Sequence, residues 1–282
     1  MLMVLPGVAR KVHVNGWLPD PKDGKLELNI LDAPLGVEEY TSSVSDIDNR
    51  QYFKEVSDQY SFPSCTANAC ADLWEAVEIH KLVHQRGIPL ELAKSSVPDK
   101  SRMFAWWNGR NEMDPCRADD PTSGCYNRLI MDVISRHGLP KESTWPYDDA
   151  PCGAQGRPRS VVRPSLQAYR EAFASRSTGS YKLFDTGSKR VDRIIQTLQI
   201  LPGVAFGTAV SRSLASIGDG VAERPDRIDG FHAMVIVGWS SKLGAFLVRN
   251  SWSKAFGING YFWMSADYVT WSKTDGLWVA TG

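Results

Sequence analysis

Gln59-Tyr60-Ser61-Phe62-Pro63-Ser64-Cys65-Thr66-Ala67-Asn68-Ala69-Cys70 is the stretch from which the fold and the chemistry of this chain are read. Pro63 and Ser64 punctuate the backbone, and an apolar-periodic run follows from Thr66 to about Arg86. A helix is expected there, with Ser64 as its N-cap. Cys65 then sits at the helix N-terminus, where unpaired N–H groups and the positive end of the helix dipole favour thiolate, the nucleophilic form. Gln59, slightly upstream, can offer a side-chain N–H to an oxyanion forming beside the sulfur. A lone cysteine at a helix start is ordinarily a small buried hydrophobe. Two later stretches change that weighing.

Working outward, the helix carries Ala69, Cys70, Leu73, Trp74, Ala76, Val77, Ile79, Leu82 and Val83, more than one stripe, so burial on several sides is expected. Gly87 and Pro89 end it. His80 and His84 have the spacing of half a zinc-peptidase helix motif, but Lys81 stands where that motif has Glu and no third ligand is evident. They read as polar positions, and no metal or cofactor is expected.

The chain has 282 residues, 43% of them hydrophobic, with 32 Lys+Arg against 32 Asp+Glu. That length supports a large core, as one domain or two lobes sharing a cleft. Zero net charge gives no reason to expect a nucleic-acid or anionic-membrane partner, and no run approaches the ~18 apolar residues of a membrane span. A monomer is expected. The opening Met1–Ala9 is briefly apolar, but its basic residues, Arg10 and Lys11, follow the run, which makes a poor signal peptide. Of the cysteines other than Cys65, Cys70 falls inside the helix as core, and Cys116 and Cys125 flank a Pro- and Gly-containing loop and could be bridged. Sequence does not fix their connectivity, or that of Cys152.

Residues 1–60 are irregular, with Trp17 as an apolar anchor. Residues 94–124 read as loop-rich around a short apolar piece, Met103–Trp107, and a second helix runs from about Cys125 to His137. Residues 145–165, rich in Pro and Gly, form a natural seam between lobes. Leu166–Phe173 and Val191–Leu198 read as shorter helices. Beyond Leu201 the period changes: Val204–Val210, Ala233–Trp239, Ala245–Arg249 and Tyr261–Met264 read as strands. Helices first and strands later give an α+β chain with a helical lobe and a β lobe.

His232, in Asp229-Gly-Phe-His-Ala-Met-Val-Ile-Val-Gly-Trp239, stands at the threshold of an apolar strand, where a ring is held rigidly while facing a cleft. Asn250, in Val248-Arg-Asn-Ser-Trp-Ser-Lys-Ala-Phe-Gly-Ile-Asn-Gly-Tyr261, ends a strand and could orient that ring. Cys, His and Asn converging on a cleft make a thiol version of the nucleophile, base and orienter arrangement.

Taken together these stretches resemble the papain-like cysteine peptidases over roughly 40–280. Gln59 to Cys65 has the family's spacing, Gly230–Gly238 its His-Ala strand, and Asn250-Ser251-Trp252 with Gly257-Ile-Asn259-Gly260-Tyr261 its most specific segment. Ser123-Gly124 and Trp145-Pro146-Tyr147 also fall where the family has comparable residues. Phe62 replaces the family's extra cysteine, removing a usual disulfide, and Thr66 its usual aromatic. Ser64-Cys-Thr-Ala-Asn-Ala69 is closer to the bacterial branch, which favours a secreted or periplasmic location over a cytoplasmic one. Cys125 replaces the second glycine of the substrate-binding pair, and Phe256 stands where tryptophan is common.

The resemblance implies a two-lobed fold, with a helical lobe at about 60–150, a β-barrel-like lobe at about 160–282 and the active site between them. Cys65 and His232 would be the nucleophile and base, with Asn250 as orienter, Gln59 as oxyanion donor and Trp252 as shield. Ser123, Gly124, Cys125, Tyr126, Phe206, Phe231 and Trp252 would contact peptide or protein substrates. The expected activity is cysteine endopeptidase. A catalytically silent binding protein on the same fold and a Cys-His acyl or amide transferase are the alternatives, the first weakened by the presence of Cys65, His232 and Gln59, the second by the Asn-Ser-Trp context. Mature relatives place the nucleophile nearer the N-terminus than the 64 residues preceding Cys65 allow. Residues 1–40 are therefore expected to form an extension, anchored by Trp17 and Leu18, that packs on the 41–282 domain and covers its cleft.

Overall fold

Most helices precede residue 175 and most strands of the main sheet follow it, and the two sets pack against each other. The computed structural model describes residues 2–4, 11–21, 29–30, 33 and 46–282; the rest of the 1–40 extension lies outside the described residues. Near the N-terminus β1 (Leu2–Val4) pairs antiparallel with β2 (Lys11–His13), and β3 (Asp46–Asp48) follows. The helical side comprises α1 (Cys65–Arg86), α2 (Leu90–Ser96), α3 (Arg102–Met113), α4 (Pro115–Ala118) and α5 (Asn127–Arg136). A small hairpin, β4 (Pro151–Cys152) with β5 (Arg157–Pro158), and α6 (Leu166–Ala172) complete it. The sheet side holds β6 (Gly179–Lys182), α7 (Gly187–Leu198), β7 (Val204–Val210), β8 (Val221–Ala222), β9 (Gly230–Ser240), β10 (Ala245–Arg249), β11 (Tyr261–Ser265), α8 (Ala266–Thr270) and β12 (Thr274–Thr281).

One eight-stranded sheet runs β6-β12-β7-β9-β10-β11-β8, with β3 also paired to β9. All its pairings are antiparallel except β11 with β8. Strand parity assigns its two faces. Ala205 of β7 and Ala233, Val235 and Val237 of β9 share a buried cluster with α1, α3 and α5. Phe206, Met234 and Ile236 point into a second cluster with Ile194, Ile195 and Tyr268 of α7 and α8.

α1 is buried continuously from Cys65 to Val77, as its excess of apolar positions implies, and Gly87 caps it in the left-handed conformation at φ 65°. Ser64 occupies the N-cap but makes no capping bond; its hydroxyl meets the Tyr147 hydroxyl instead. The loop expected over 94–124 is largely helical. α3 was hidden because Asn108, Gly109 and Arg110 read as breakers, yet all are buried. Arg110 stacks 3.7 Å over Trp106 and bonds the carbonyls of Asp120 and Ser160, so packing overrides propensity. β12 was hidden by Gly276 and Asp275. The Pro- and Gly-rich 145–165 stretch stays on the helical side: Ala168 and Ala172 of the following α6 join that core, and sheet pairing begins at Gly179. A Cys116–Cys125 bridge does not form. Cys116 is exposed on α4 and Cys125 is fully buried, its sulfur packed towards Gly109, and both are free. The rings of His80 and His84 lie 4.2 Å apart, tilted by 35°, and the Tyr52 hydroxyl lies 2.7 Å from His84 Nε2.

Candidate active site

Cys65 begins α1 and His232 lies near the start of β9, so the helix-to-strand packing that forms the main core also brings these two side chains into one cleft. His232 Nε2 lies 2.8 Å from Asn250 Oδ1. Asn250 follows β10, and its Oδ1 also accepts from Ser251 N at 2.8 Å, which fixes the amide. Trp252 stacks on the His232 ring at 4.8 Å and 25°, both fully buried, and Phe256 packs edge-on beneath it. Cys65 Sγ accepts from Ala233 N at 3.3 Å. Nδ1, the His232 nitrogen not turned to Asn250, has no hydrogen-bond partner among the described residues.

Gln59 is positioned by a strap between the lobes. Gln59 N donates to Ser251 O at 2.9 Å, Ser253 N to Ser57 O at 3.0 Å, and the Ser251 hydroxyl to Gln59 Oε1 at 2.7 Å. Ser251 therefore turns the amide so that Nε2 donates, to His13 O and Phe62 O, each at 3.0 Å. Ser251 was read only as part of a motif; its role in turning Gln59 needs the fold.

The acceptor on His13 belongs to the N-terminal segment, which runs through the cleft. Asn15 bridges Phe231 and Trp17 bridges Cys125, both in parallel. Cys125 N donates to Gly16 O at 2.9 Å and Leu18 N to Cys125 O at 3.0 Å. Glycines make this approach possible. A Cβ on Gly16 would stand 2.5 Å from Cys65 Sγ, and one on Gly124 would stand 2.6 Å from Asn15 O. Gly230 faces Asn15 and Val14 in the same way.

Of the substrate-contact residues expected from sequence, Gly124, Cys125 and Phe231 meet this segment directly. Tyr126 packs at the edge of the helical cluster. Ser123 is buried behind the cleft, its carbonyl accepting from Trp106 Nε1 at 3.2 Å. Phe206 does not line the cleft: it is fully buried in the opposite core. One step along β7 reverses the face, and the residue that meets Trp17 is Gly207.

A thiolate was expected from the helix terminus. With the segment in place, burial outweighs the N–H groups of Ala233, Thr66, Cys65 and Gly16 and pushes the Cys65 thiol up to about 12. Burial likewise holds His232 down to about 4, against the opposing effect of its hydrogen bond to Asn250 Oδ1. The covered pair is neutral. A histidine held below its ordinary 6.5 stabilises the covered state above pH 6.5, and that contribution is lost as pH falls through 6.5 toward about 4. A cysteine held above 9.0 stabilises it below pH 9, with loss as pH rises toward about 12. His13, also lowered by burial, adds to the acid limb. Alkylation of Cys65 in the full chain should therefore accelerate as pH falls from 6.5 toward about 4, opposite to an ordinary thiol. A steady decline over that range would refute this.

Among the described residues no group of three or more His, Cys, Asp or Glu could hold a metal ion, and no helix is long and apolar enough to cross a membrane.

A buried Cys–His–Asn constellation between a helical and a sheet lobe, with a glutamine amide beside it, defines the class of a thiol hydrolase. The profile of the papain family cysteine proteases matches residues 43–275, and the chain belongs to that family. An uncharacterized peptidase C1-like protein of Acanthamoeba polyphaga mimivirus is 30% identical over 222 residues, 75% of this chain. The match spans 64% of that relative's length. Among solved structures, xylellain, a cysteine protease from Xylella fastidiosa, superposes with a TM-score of 0.75 at 24% identity, covering 97% of this chain and 98% of that one. ProCathepsin B S9 from Trypanosoma congolense gives 0.69 at 14% identity, covering 95% and 86%. The fold is theirs: papain-like, α+β and two-lobed.

Proposed function

We propose that this chain is an endopeptidase that works through a thioester and is held inactive by residues 13–18. The observation carrying the reading is the His232–Asn250 bond of 2.8 Å beneath Trp252, with Cys65 Sγ facing the same cleft. In the reaction Cys65 Sγ attacks a peptide carbonyl carbon, and the thiol proton passes to His232 Nδ1. Gln59 Nε2 and Cys65 N–H receive the oxyanion. His232 returns the proton to the departing amine, leaving a thioester that water hydrolyses with His232 as base. Asn250 holds the imidazole orientation throughout, and Trp252 excludes water from that hydrogen bond.

Endopeptidase action is supported by the course of the segment, which enters the cleft at His13 and leaves at Leu18 without ending in it. A substrate chain can therefore extend on both sides of the sulfur. The segment is not itself in a cleavable pose: Gln59 holds the carbonyl of His13, whereas the main chain lying on Sγ is that of Gly16. Nucleophile and oxyanion donor thus engage different peptide groups.

The test is intact-mass labelling with an epoxysuccinyl peptide as the pH is lowered from 6.5 toward about 4, where the cover loosens, alongside Cys65→Ala. One adduct on Cys65, absent from the variant, with peptide hydrolysis lost in parallel by at least about a thousandfold, is the expected result. A labelled protein that cleaves no peptide would favour acyl transfer, and failure to label even in acid would favour a silent binding protein.

A further inference from the structure

Gln59 Nε2 and Cys65 N–H serve one oxyanion only if the turn between them keeps both at the right separation. Main-chain bonds fix that turn from within and from β10's end. Gln59 N donates to Ser251 O at 2.9 Å, Phe62 N to Gln59 O at 3.1 Å, and Asn68 N to Ser64 O at 3.0 Å. One side chain from outside the turn reaches both of its ends. The Tyr147 hydroxyl donates to Gln59 O at 3.1 Å and also meets the Ser64 hydroxyl. It therefore bonds the residue that carries one donor and the residue immediately before the other. Tyr147 itself is buried.

The proton directions in this network are consistent. With Tyr147 donating to Gln59 O, the proton between the two hydroxyls belongs to Ser64. Asn68 Nδ2 in turn donates to Ser64 Oγ at 3.2 Å and to Ser64 O at 3.0 Å. The chain runs Asn68, Ser64, Tyr147, Gln59, and each bond polarises the next. Burial pushes the Tyr147 hydroxyl up to about 12, so it keeps its proton across neutral and acid pH. Arg102 grips the same ring, with Cζ 4.3 Å over its centre, while Nη1 donates to Asn68 Oδ1 at 3.1 Å. The turn has reason to move if released. Tyr60, next to Gln59, sits at φ 48°, a left-handed conformation that a bulky residue keeps only where its surroundings hold it.

Resting on the peptidase reading, we infer that Tyr147 is a positioning residue for the reaction, its hydroxyl setting the separation of Gln59 Nε2 from Cys65 N–H. It acts through Gln59 and Ser64, so its effect falls on steps that build negative charge on oxygen. Addition of Sγ to a peptide or aldehyde carbonyl is such a step. Sulfur bonds to carbon, the carbonyl pair moves to oxygen, and the thiol proton passes to His232. Alkylation by iodoacetamide is not such a step, because sulfur bonds to the methylene carbon and iodide leaves. Comparing the two reactions separates placement of the oxyanion donors from access to the sulfur.

The experiment compares the full-length natural chain with Tyr147→Phe at one pH between 6.5 and about 4, where the cover loosens. Three quantities are read: hydrolysis of Ac-Ala-Leu-Gly-Ser-Ala-NH2, affinity for the aldehyde Ac-Ala-Leu-glycinal, and the rate of Cys65 alkylation by iodoacetamide. A donor displaced by a fraction of an ångström should lower kcat by about ten- to a hundredfold, with KM within about twofold. Aldehyde affinity should fall by at least about tenfold, while alkylation and its pH dependence stay as they were. Unchanged kcat and aldehyde affinity overturn the inference, as does alkylation that falls in proportion to turnover. If Tyr147→Phe does not fold, Ser64→Ala removes the other partner of the same hydroxyl, and the same split between addition and alkylation decides. If the natural chain cuts no peptide, the peptidase reading fails and the aldehyde still reads the donors. Affinity lost in the variant with alkylation kept upholds the role of Tyr147, and equal or undetectable affinity in both proteins overturns it.

Discussion

Full-length protein carrying Gly16→Val is expected to alkylate at Cys65 about one to two orders of magnitude faster than the natural chain. A side chain at residue 16 meets Cys65 Sγ at 2.5 Å and the Pro63 carbonyl at 2.7 Å. The second contact is main chain and cannot swing aside. Overpacking of this kind costs about 1–3 kcal/mol, and each ~1.4 kcal/mol is a factor of ten in the docked population. The penalty falls first on docking of the segment, whose Val14 and Trp17 pack into the two cores. What still holds the segment is the Cys125 pair, the Gln59–His13 bond and Trp17 packed on Gly207. Labelling should therefore rise, with a smaller loss of stability as Val14 and Trp17 loosen from the two cores. Equal labelling rates for the two proteins would mean that Gly16 does not control access to the sulfur.

The importance of Gly16 could not be read from the sequence, whereas that of Cys65 could. Cys65, Gln59, His232 and Asn250 sit in local contexts whose chemistry is visible from a few neighbours: a helix start, a strand threshold, a strand end. Gly16 matters only because of what passes beneath it. The same divide runs through the fold. β7 and β10 were read with their observed bounds because their residues alternate against two cores, and α1 because its apolar excess is continuous. α3 is not legible because the partners that justify Asn108 and Arg110 inside a helix, two carbonyls and the Tyr169 hydroxyl, come from residues 120–169. Phe206 is the expected cleft residue of β7 by its aromatic character, but its side chain lies in the opposite core, and the residue that faces the cleft is Gly207. The surplus of chain before Cys65 indicated a cover, but its path over Sγ is fixed by backbone bridges to Cys125 and Phe231, which sequence does not display.

The largest effect expected on stability comes from Arg249, which immediately precedes Asn250. It is 3% exposed at the end of β10, and its guanidinium crosses to the helical side. Nε donates to Asp72 Oδ2 of α1 at 2.8 Å, and the two terminal nitrogens reach Lys54 O at 3.1 Å, Tyr261 Oη at 2.8 Å and Glu55 O at 2.7 Å. One side chain thus ties α1, the strap that carries Gln59, and the strand that carries Asn250. Arg249→Met leaves Asp72 as a buried charge, with the Ser57 hydroxyl as its remaining donor, and strands two carbonyls. Removing one partner of such a pair costs about 3–5 kcal/mol, which for a chain of this size lowers the melting temperature by roughly 6–20 °C. The ion pair itself need not be the source of stability, because desolvating both charges consumes most of their attraction. The double variant Arg249→Met with Asp72→Leu should therefore recover a large part of the loss. Recovery of stability without recovery of turnover would assign Arg249 a second role, holding the Asn250 end of β10 at the correct distance from His232. A double variant no more stable than the single one would mean that the Lys54 and Glu55 carbonyls, rather than the orphaned carboxylate, dominate the cost.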